Sequence, residues 1–396
     1  MDAFEFRGVS RIVFGRGAFA QLGTLASALG RAALVVTNVG EPGDGGSVDR
    51  LARELAQQHI GSCFWTQRGE PEIAHVEQAL DAARRAGCDM VVGFGGGSAI
   101  DIAKAVAGLL SNGGSPLDYM EVIGQGRPLL RPAAPWIAVP TTAGTGAEVT
   151  HNAVLTCPEK HFKASLRSHH LLATVALLDA ELGVGVPPAV TAASGMDALC
   201  QLIESYTSKR AQPITDALAL QGITLAARAL PRVGADGRDV GAREDMALAA
   251  LLSGLTLANA GLGAVHGLAA PLGANLPVPH GTACAAMLPH VMAANVAALR
   301  AASSGQPSLD RYATIGRALT GQSALPEAEA IDAGIRFTLD LVRQLRIPPL
   351  ADYGLTAERI PELVALGRRA SSMRYNPVEL SEAALADVLR QAAQPA

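Results

Sequence analysis

Residues 91–110, VVGFGGGSAIDIAKAVAGLL, pass from a β-branched apolar run through Gly95, Gly96 and Gly97 into a helical pattern. A strand, a glycine turn and a helix in that order let the backbone approach a ligand closely. The free amides at the helix start, near Ser98, would face an anion under a favourable dipole. A pyrophosphate fits that description, and so does a tight turn with no ligand. The stretch is no Walker motif, since no Gly-Lys-Ser/Thr follows, and no regular G-x-G-x-x-G.

Outward from this turn, AALVVTN (32–38), DMVVGFGGG (89–97) and WIAVPTT (136–142) read as buried parallel strands. VDRLARELAQQHI (48–60) and HVEQALDAARRAG (75–87) read as the helices between them, and the alternation predicts a doubly wound α/β domain. Near LLDAELGVGVPP (177–188) the pattern changes. Beyond it, PITDALALQGITLAARAL (213–230), EAIDAGIRFTLDLVRQL (329–345) and SEAALADVLRQAA (381–393) carry apolar residues at helical spacing. The expected fold is an α/β nucleotide-binding domain with a parallel sheet over residues 1–185, then an all-helical domain over 186–396. Pro187 and Pro188 suit the boundary.

Composition narrows the partners. Lys and Arg total 32 against 36 Asp and Glu, a net charge of -4 without long runs of either sign, so nucleic acid is not an expected partner. The five cysteines are scattered without C-x-x-C spacing, which argues against a disulfide framework or thiolate zinc site and fits a reduced cytoplasm. The opening MDAFEFRGVSRIVFG lacks the apolar run of a signal peptide. From Met246 to Pro279 there is no Asp, Glu, Lys or Arg, a length that could span a bilayer. Its glycines, prolines, asparagines and His266 read instead as buried helices joined by turns, and no membrane is expected.

Three further stretches carry polar chemistry. VPTTAGTGAEVT (139–150) ends a predicted strand with Thr141, Thr142 and Thr145 beside glycines. In an open parallel sheet, ligands lie beyond the carboxyl ends of the strands, so this loop and the glycine turn could frame one nucleotide crevice; a loop capping its own backbone is the alternative. GMDALCQLIESY (195–206) places Asp197 and Gln201 four positions apart on one helix face. GAVHGLAAPLGANLPVPHGTACAAMLPHVMAAN (263–295) holds His266 and His280, with a proline-rich piece between them that can return the chain to a shared site. An oxygen and two imidazoles suit iron(II) or zinc with positions open for substrate; buried, hydrogen-bonded histidines are the alternative.

In GGGSAIDIAK, PTTAGTGAEVT, GMDAL with IESY, VHGLAAPLGA with PHG, LPHVMAAN and NPVELSEAAL, the sequence resembles the iron-containing (group III) alcohol dehydrogenases over nearly its full length. The resemblance implies the dehydroquinate synthase-like fold, an active site in the cleft between two domains, and hydride transfer between a small alcohol and NAD or NADP. It places Gly95, Gly96, Gly97 and Ser98 on the cofactor pyrophosphate, with Asp101 nearby among the cofactor and catalytic positions. Thr141, Thr142, Thr145 and Lys163 line the rest of the nucleotide site, although Lys163 reads equally as a surface charge. Asp197, His266 and His280 match three of four ligands to Fe2+ or Zn2+ and count as catalytic. It also implies a homodimer or larger homo-oligomer.

Three positions depart from the family. Gln201 stands where the fourth metal ligand is usually His; its neutral amide is a weak ligand that favours harder ions. Ala270 stands where a proton-relaying His is common. Asn38 replaces the Asp with which NAD-preferring relatives repel a 2′-phosphate, which admits NADP. The departures keep two other readings open: a metal-independent oxo-acid reductase resembling maleylacetate reductase, and a nucleotide-binding protein that has lost catalysis. A lyase of the dehydroquinate synthase type fits less well. Cys200 reads as a small core residue, His169 and His170 as solvated, and His290 as structural.

Overall fold

The computed structural model describes residues 3–160, 162–302 and 304–396. The strands are β1 (Ile12–Phe14), β2 (Ala32–Thr37), β3 (Gly61–Thr66), β4 (Met90–Gly95), β5 (Trp136–Pro140), β6 (Asn152–Cys157), β7 (Phe162–Arg167) and β8 (Val175–Leu178). Between them lie α1 (Leu22–Ser27), α2 (Ser47–Gln57), α3 (Ile73–Arg85), α4 (Gly97–Asn112) and α5 (Pro116–Tyr119). The helices that follow are α6 (Pro188–Thr207), α7 (Pro213–Ala235), α8 (Val240–Ala260), α9 (Ala264–Asn275), α10 (His280–Ala301), α11 (Gln306–Thr320), α12 (Glu327–Gln344), α13 (Ile360–Arg368) and α14 (Glu382–Ala392).

The chain divides into two compact units. Residues 7–142 and 146–185 form the α/β unit; 186–396 form the helical unit, together with residues 143–145 and a short N-terminal piece ending at Phe6. Thr145 therefore goes with the helices, whereas Thr141 and Thr142 stay with the sheet.

In the α/β unit a six-stranded sheet runs in the order β1-β8-β5-β4-β2-β3, every pair parallel. The chain leaves β2 toward β3 on one side and then places β4 and β5 on the other, so the order reverses between β2 and β4. Both faces of the sheet are covered. Leu34, Val36, Val91 and Ala138 pack on one side with residues of α3 and α4, while Ala33, Val35, Val92, Phe94 and Val139 pack on the other with α1 and α2. Alternation along each strand thus buries both sets, which is why these strands read as continuous apolar runs. The sequence does not announce β3, whose residues stay half-exposed, nor the antiparallel hairpin β6–β7.

That hairpin is tied to α4 by a buried ion. Lys104, fully buried, donates to Thr150 Oγ1 at 2.8 Å, to the Asn152 carbonyl at 2.7 Å and to Asp101 Oδ1 at 3.4 Å. Asp101 Oδ2 accepts the Val154 amide at 3.2 Å. Burial lowers the pKa of Lys104 and raises that of Asp101, each opposed by the partner's charge.

In the helical unit α6 is buried along most of its length, packed by α7, α8 and α10. The charge-free segment 246–279 falls in α8, α9 and the turn after them; α8 and α9 meet at a bend of 99°. Among the described residues one helix, α10, is long and apolar enough to cross a membrane, and its apolar side chains lie in the core of this unit.

Removing the ammonium while leaving its acceptors behind should be costly. Lys104→Met is expected to lower the unfolding free energy by roughly 3 kcal/mol, read by chemical denaturation, with Lys104→Met/Asp101→Asn recovering part of the loss.

Candidate active site

The switch point of the sheet brings together the glycine turn and the end of β2. Asn38 Oδ1 accepts the Gly96 amide at 3.0 Å. A Cβ on Gly95 would lie 2.1 Å from that same oxygen, so no larger residue fits while the contact holds. Gly96 begins the cap of α4 and Thr142 lies beside it, 3.4 Å from where a Cβ would be. The first backbone bond of the helix joins the Ile100 amide to the Gly96 carbonyl, which leaves the preceding amides of Gly97, Ser98 and Ala99 without a place in the helical ladder. The Thr141 amide reaches the Gly95 carbonyl at 2.9 Å, while its buried hydroxyl finds no partner among the described residues. Helix amides, a backbone cradle and an unsatisfied hydroxyl at a topological switch point fit a dinucleotide pyrophosphate.

Two expected cofactor residues have other partners. Lys163, on β7, pairs with Glu70 at 2.9 Å. Asp101 is committed to Lys104 and the hairpin, so it shapes this region by holding α4 against β6.

A second cluster lies within the helical unit. Asp197, Gln201 and Glu204 line one face of α6, His266 enters from the first turn of α9, and His280 and Cys284 stand one turn apart at the start of α10. Pro279 caps α10 and makes His280 its first residue. Asp197, Gln201, Glu204, His266 and Cys284 are buried, while the His280 side chain keeps 40% of its surface exposed. His266 Nε2 is 3.2 Å and His280 Nε2 3.8 Å from Asp197 Oδ1. Cys284 Sγ is 3.7 Å from the Nε2 of each histidine. One donor atom from each of Asp197, His266, His280 and Cys284 lies within 4.8 Å of the others, a spacing able to hold a metal ion.

Behind these atoms lies a set of orienting contacts. Glu204 Oε2 is 2.6 Å from His266 Nδ1, and Glu204 Oε1 accepts the Val265 amide at 2.7 Å. With Nδ1 held by Glu204, Nε2 is the ring nitrogen turned toward Asp197, the arrangement that metal-binding histidines use. Gln201 Nε2 donates to Asp197 Oδ2 at 3.0 Å, and Gln201 Oε1 accepts from Ser253 Oγ at 2.8 Å. The reverse amide orientation would set a carbonyl against the carboxylate.

The electrostatics follow from this crowding. Burial works to raise the Asp197 pKa, but the hydrogen bond from His266 and the charges of both histidines hold it below the ordinary carboxylate value. Burial works against a charge on His266, yet contact with Cys284, Asp197 and Glu204 raises its pKa well above that of free imidazole. Burial pushes the Cys284 thiol up, and the Cys200 thiol up to about 12. Cys200 is thus an inert core residue, as its sequence context suggested.

Sequence reasoning missed Glu204 and Cys284. Glu204 lies two helical turns beyond Asp197, and Cys284 one turn beyond His280, so each had a periodicity signal. His169 and His170 sit together on an exposed turn, ring centroids 4.0 Å apart, and burial lowers the pKa of His290 within α10.

A switch-point turn that fits a nucleotide in one unit and a His/carboxylate cluster able to hold a metal ion in the other are features expected of a dinucleotide-dependent oxidoreductase. The family model of iron-containing alcohol dehydrogenase matches residues 9–180, and that of the Fe-containing alcohol dehydrogenase C-terminal region matches 191–393. The chain belongs to the iron-containing alcohol dehydrogenase family, and is an NAD(P)-dependent oxidoreductase acting on CH–OH groups. It is 38% identical over 375 residues to a probable alcohol dehydrogenase, EutG, of Salmonella typhimurium, covering 94% of this chain and 91% of that one. The crystal structure of a 1,3-propanediol oxidoreductase superposes with a TM-score of 0.91 at 34% identity, covering 99% of this chain and 100% of that one. Sulfoacetaldehyde reductase from Bifidobacterium kashiwanohense, solved in complex with NAD+, gives a TM-score of 0.86 at 30% identity over 99% of both chains.

Gly95→Ala tests the cradle directly. Its methyl group must displace Asn38 from the Gly96 amide, and NADH and NADPH affinity, measured by calorimetric titration, is expected to fall by about tenfold or more.

Proposed function

We propose that this enzyme interconverts a small alcohol and its aldehyde or ketone at a metal centre held by Asp197, His266 and His280. The observation that carries this reading is the convergence of Asp197 Oδ1 and the two Nε2 atoms, with Glu204 holding the His266 ring by Nδ1. The donor chemistry fits: one carboxylate and two imidazoles suit iron(II) or zinc. When bound, the ion and the nicotinamide supply Lewis acidity toward the alcohol oxygen and an acceptor for the carbinol hydride.

The protein's own residues do the rest. Gln201 turns Asp197 so that one carboxylate oxygen faces the histidines. Glu204 holds the His266 ring by Nδ1, so that Nε2 faces the cluster. The apolar helices around α6 exclude water from the inner side of the cluster, and the exposed edge of His280 is where a substrate gains access. Ala270 carries no ionisable group, so the alcohol proton leaves through water, the cofactor ribose or another side chain. Gly95, Gly96, Gly97 and Ser98 hold the pyrophosphate, with Thr141 and Thr142 beside it; Asp101 acts as a positioning residue through Lys104. A reducing cytoplasm suits the five free thiols found among the described residues, and a homo-oligomer is the proposed assembly.

The decisive test is metal removal. Protein purified without added metal is stripped by a strong chelator and assayed for NADH and NADPH oxidation with aldehydes and ketones, then reloaded. Loss of turnover on stripping and recovery with iron(II) or zinc is the expected result; full turnover in metal-free protein, above all with maleylacetate as the preferred substrate, would falsify the metal-centred reading.

Cofactor preference follows from Asn38. An Asp at that position keeps an acceptor for the Gly96 amide and adds a negative charge. Asn38→Asp is expected to weaken NADPH binding by roughly tenfold while changing NADH affinity little, as measured by titration of both reduced cofactors.

A further inference from the structure

We infer that the Cys284 thiolate, and not Gln201, completes the metal site, giving an Asp197–His266–His280–Cys284 set that prefers zinc. This inference rests on the metal-centred reading and specifies its ligands.

Geometry is the first support. A tetrahedral zinc ion with Zn–N and Zn–O near 2.0–2.1 Å and Zn–S near 2.3 Å separates its ligand atoms by about 3.3–3.6 Å. The four edges seen here are 3.2 and 3.8 Å from Asp197 Oδ1 to the two histidines, and 3.7 Å from Cys284 Sγ to each of them. In the orientation found here Gln201 turns no lone pair toward this point. Its carbonyl oxygen is taken up by Ser253 on α8, and its amide nitrogen, which has no lone pair to give, faces Asp197.

The same atoms converge on one point. Cys284 Sγ meets two Nε2 atoms at the same distance, and Asp197 Oδ1 lies 3.2 and 3.8 Å from those nitrogens. With Nδ1 of His266 held by Glu204, Nε2 is the ring nitrogen left to face that point. A cation there would take a lone pair from each group, the imidazolium and the thiol giving up their protons.

Charge and softness point the same way. A divalent ion in a buried site is stabilised by negative charge around it. Among the candidate ligands Asp197 supplies one charge, a neutral glutamine none and a thiolate a second, while Glu204 acts from behind His266. On coordination the S–H bond breaks, sulfur forms the bond to the ion and the proton passes to solvent, with no change of oxidation state. A thiolate also shifts preference toward zinc, whereas replacing a histidine by an amide would favour harder ions.

Cobalt(II) reports the ligand directly. The full-length protein is stripped, reloaded with cobalt and read by absorption. About one cobalt per chain with a near-ultraviolet thiolate-to-cobalt charge-transfer band is expected. The band should disappear in Cys284→Ser, with zinc affinity lower by about tenfold or more, and persist in Gln201→Leu and Cys200→Ser. Zinc-edge X-ray absorption of the unaltered protein needs no variant and should show one sulfur at about 2.3 Å. Cobalt bound without the band, or a band surviving in Cys284→Ser, overturns the thiolate and leaves the three-ligand centre standing. A failure to bind cobalt or zinc at all overturns both.

Discussion

The helical unit is organised around a carboxylate that its core cannot leave unpaired. Asp197 is 1% exposed on a helix whose neighbours are Met196, Ala198, Leu199 and Cys200. An isolated ionised carboxylate in such surroundings would take up a proton rather than stay charged. Here His266, His280 and the Gln201 amide keep it ionised, and each comes from a fixed place: one helical turn along α6, the first turn of α9 and the first residue of α10. A shift of α9 or α10 by one residue would take a histidine away from that buried charge. The charge thus fixes the register of the three helices as much as apolar packing does.

The same logic operates in the α/β unit with the sign reversed. Lys104 is fully buried and would lose its proton if its acceptors moved. Asp101, Thr150 and the Asn152 carbonyl keep it charged, so the hairpin and α4 are held as one body. The first turn of α4 is the proposed nucleotide cradle. Its position therefore depends on an ion pair two turns further along the same helix, which explains why the GGGSAIDIAK stretch carries both features.

Much of the fold was legible because burial on both faces of a parallel sheet writes itself as unbroken apolar runs, as in AALVVT and MVVGFG. What escaped was what depends on distant partners. The three-residue β1 exists through its ladder with β8, and the β6–β7 hairpin alternates polar and apolar residues too weakly to stand out. In the site, Asp197, His266 and His280 were legible from residue type and spacing. Glu204 was hidden because its role is to face a histidine 62 positions away, and Cys284 because small apolar thiols are ordinary core residues. Lys163 and Asp101 were placed near the cofactor by resemblance; the ion pairs they make with Glu70 and Lys104 are set by tertiary contacts that residue type and spacing do not announce.

Gln201 illustrates how one residue exchange propagates through a site. A histidine at this position would direct a lone pair toward the ion; the carboxamide instead donates to Asp197 and accepts from Ser253. It has moved from ligand to orienter, and its donor bond fixes which oxygen of Asp197 faces the cluster. Asp197, His266 and His280 remain after the loss of that nitrogen, and Cys284 approaches the same point from α10. As the proposed fourth ligand it would bring a negative charge that histidine does not, altering the charge and softness of the centre, the two properties that decide which ion it holds and how strongly that ion polarises a substrate oxygen.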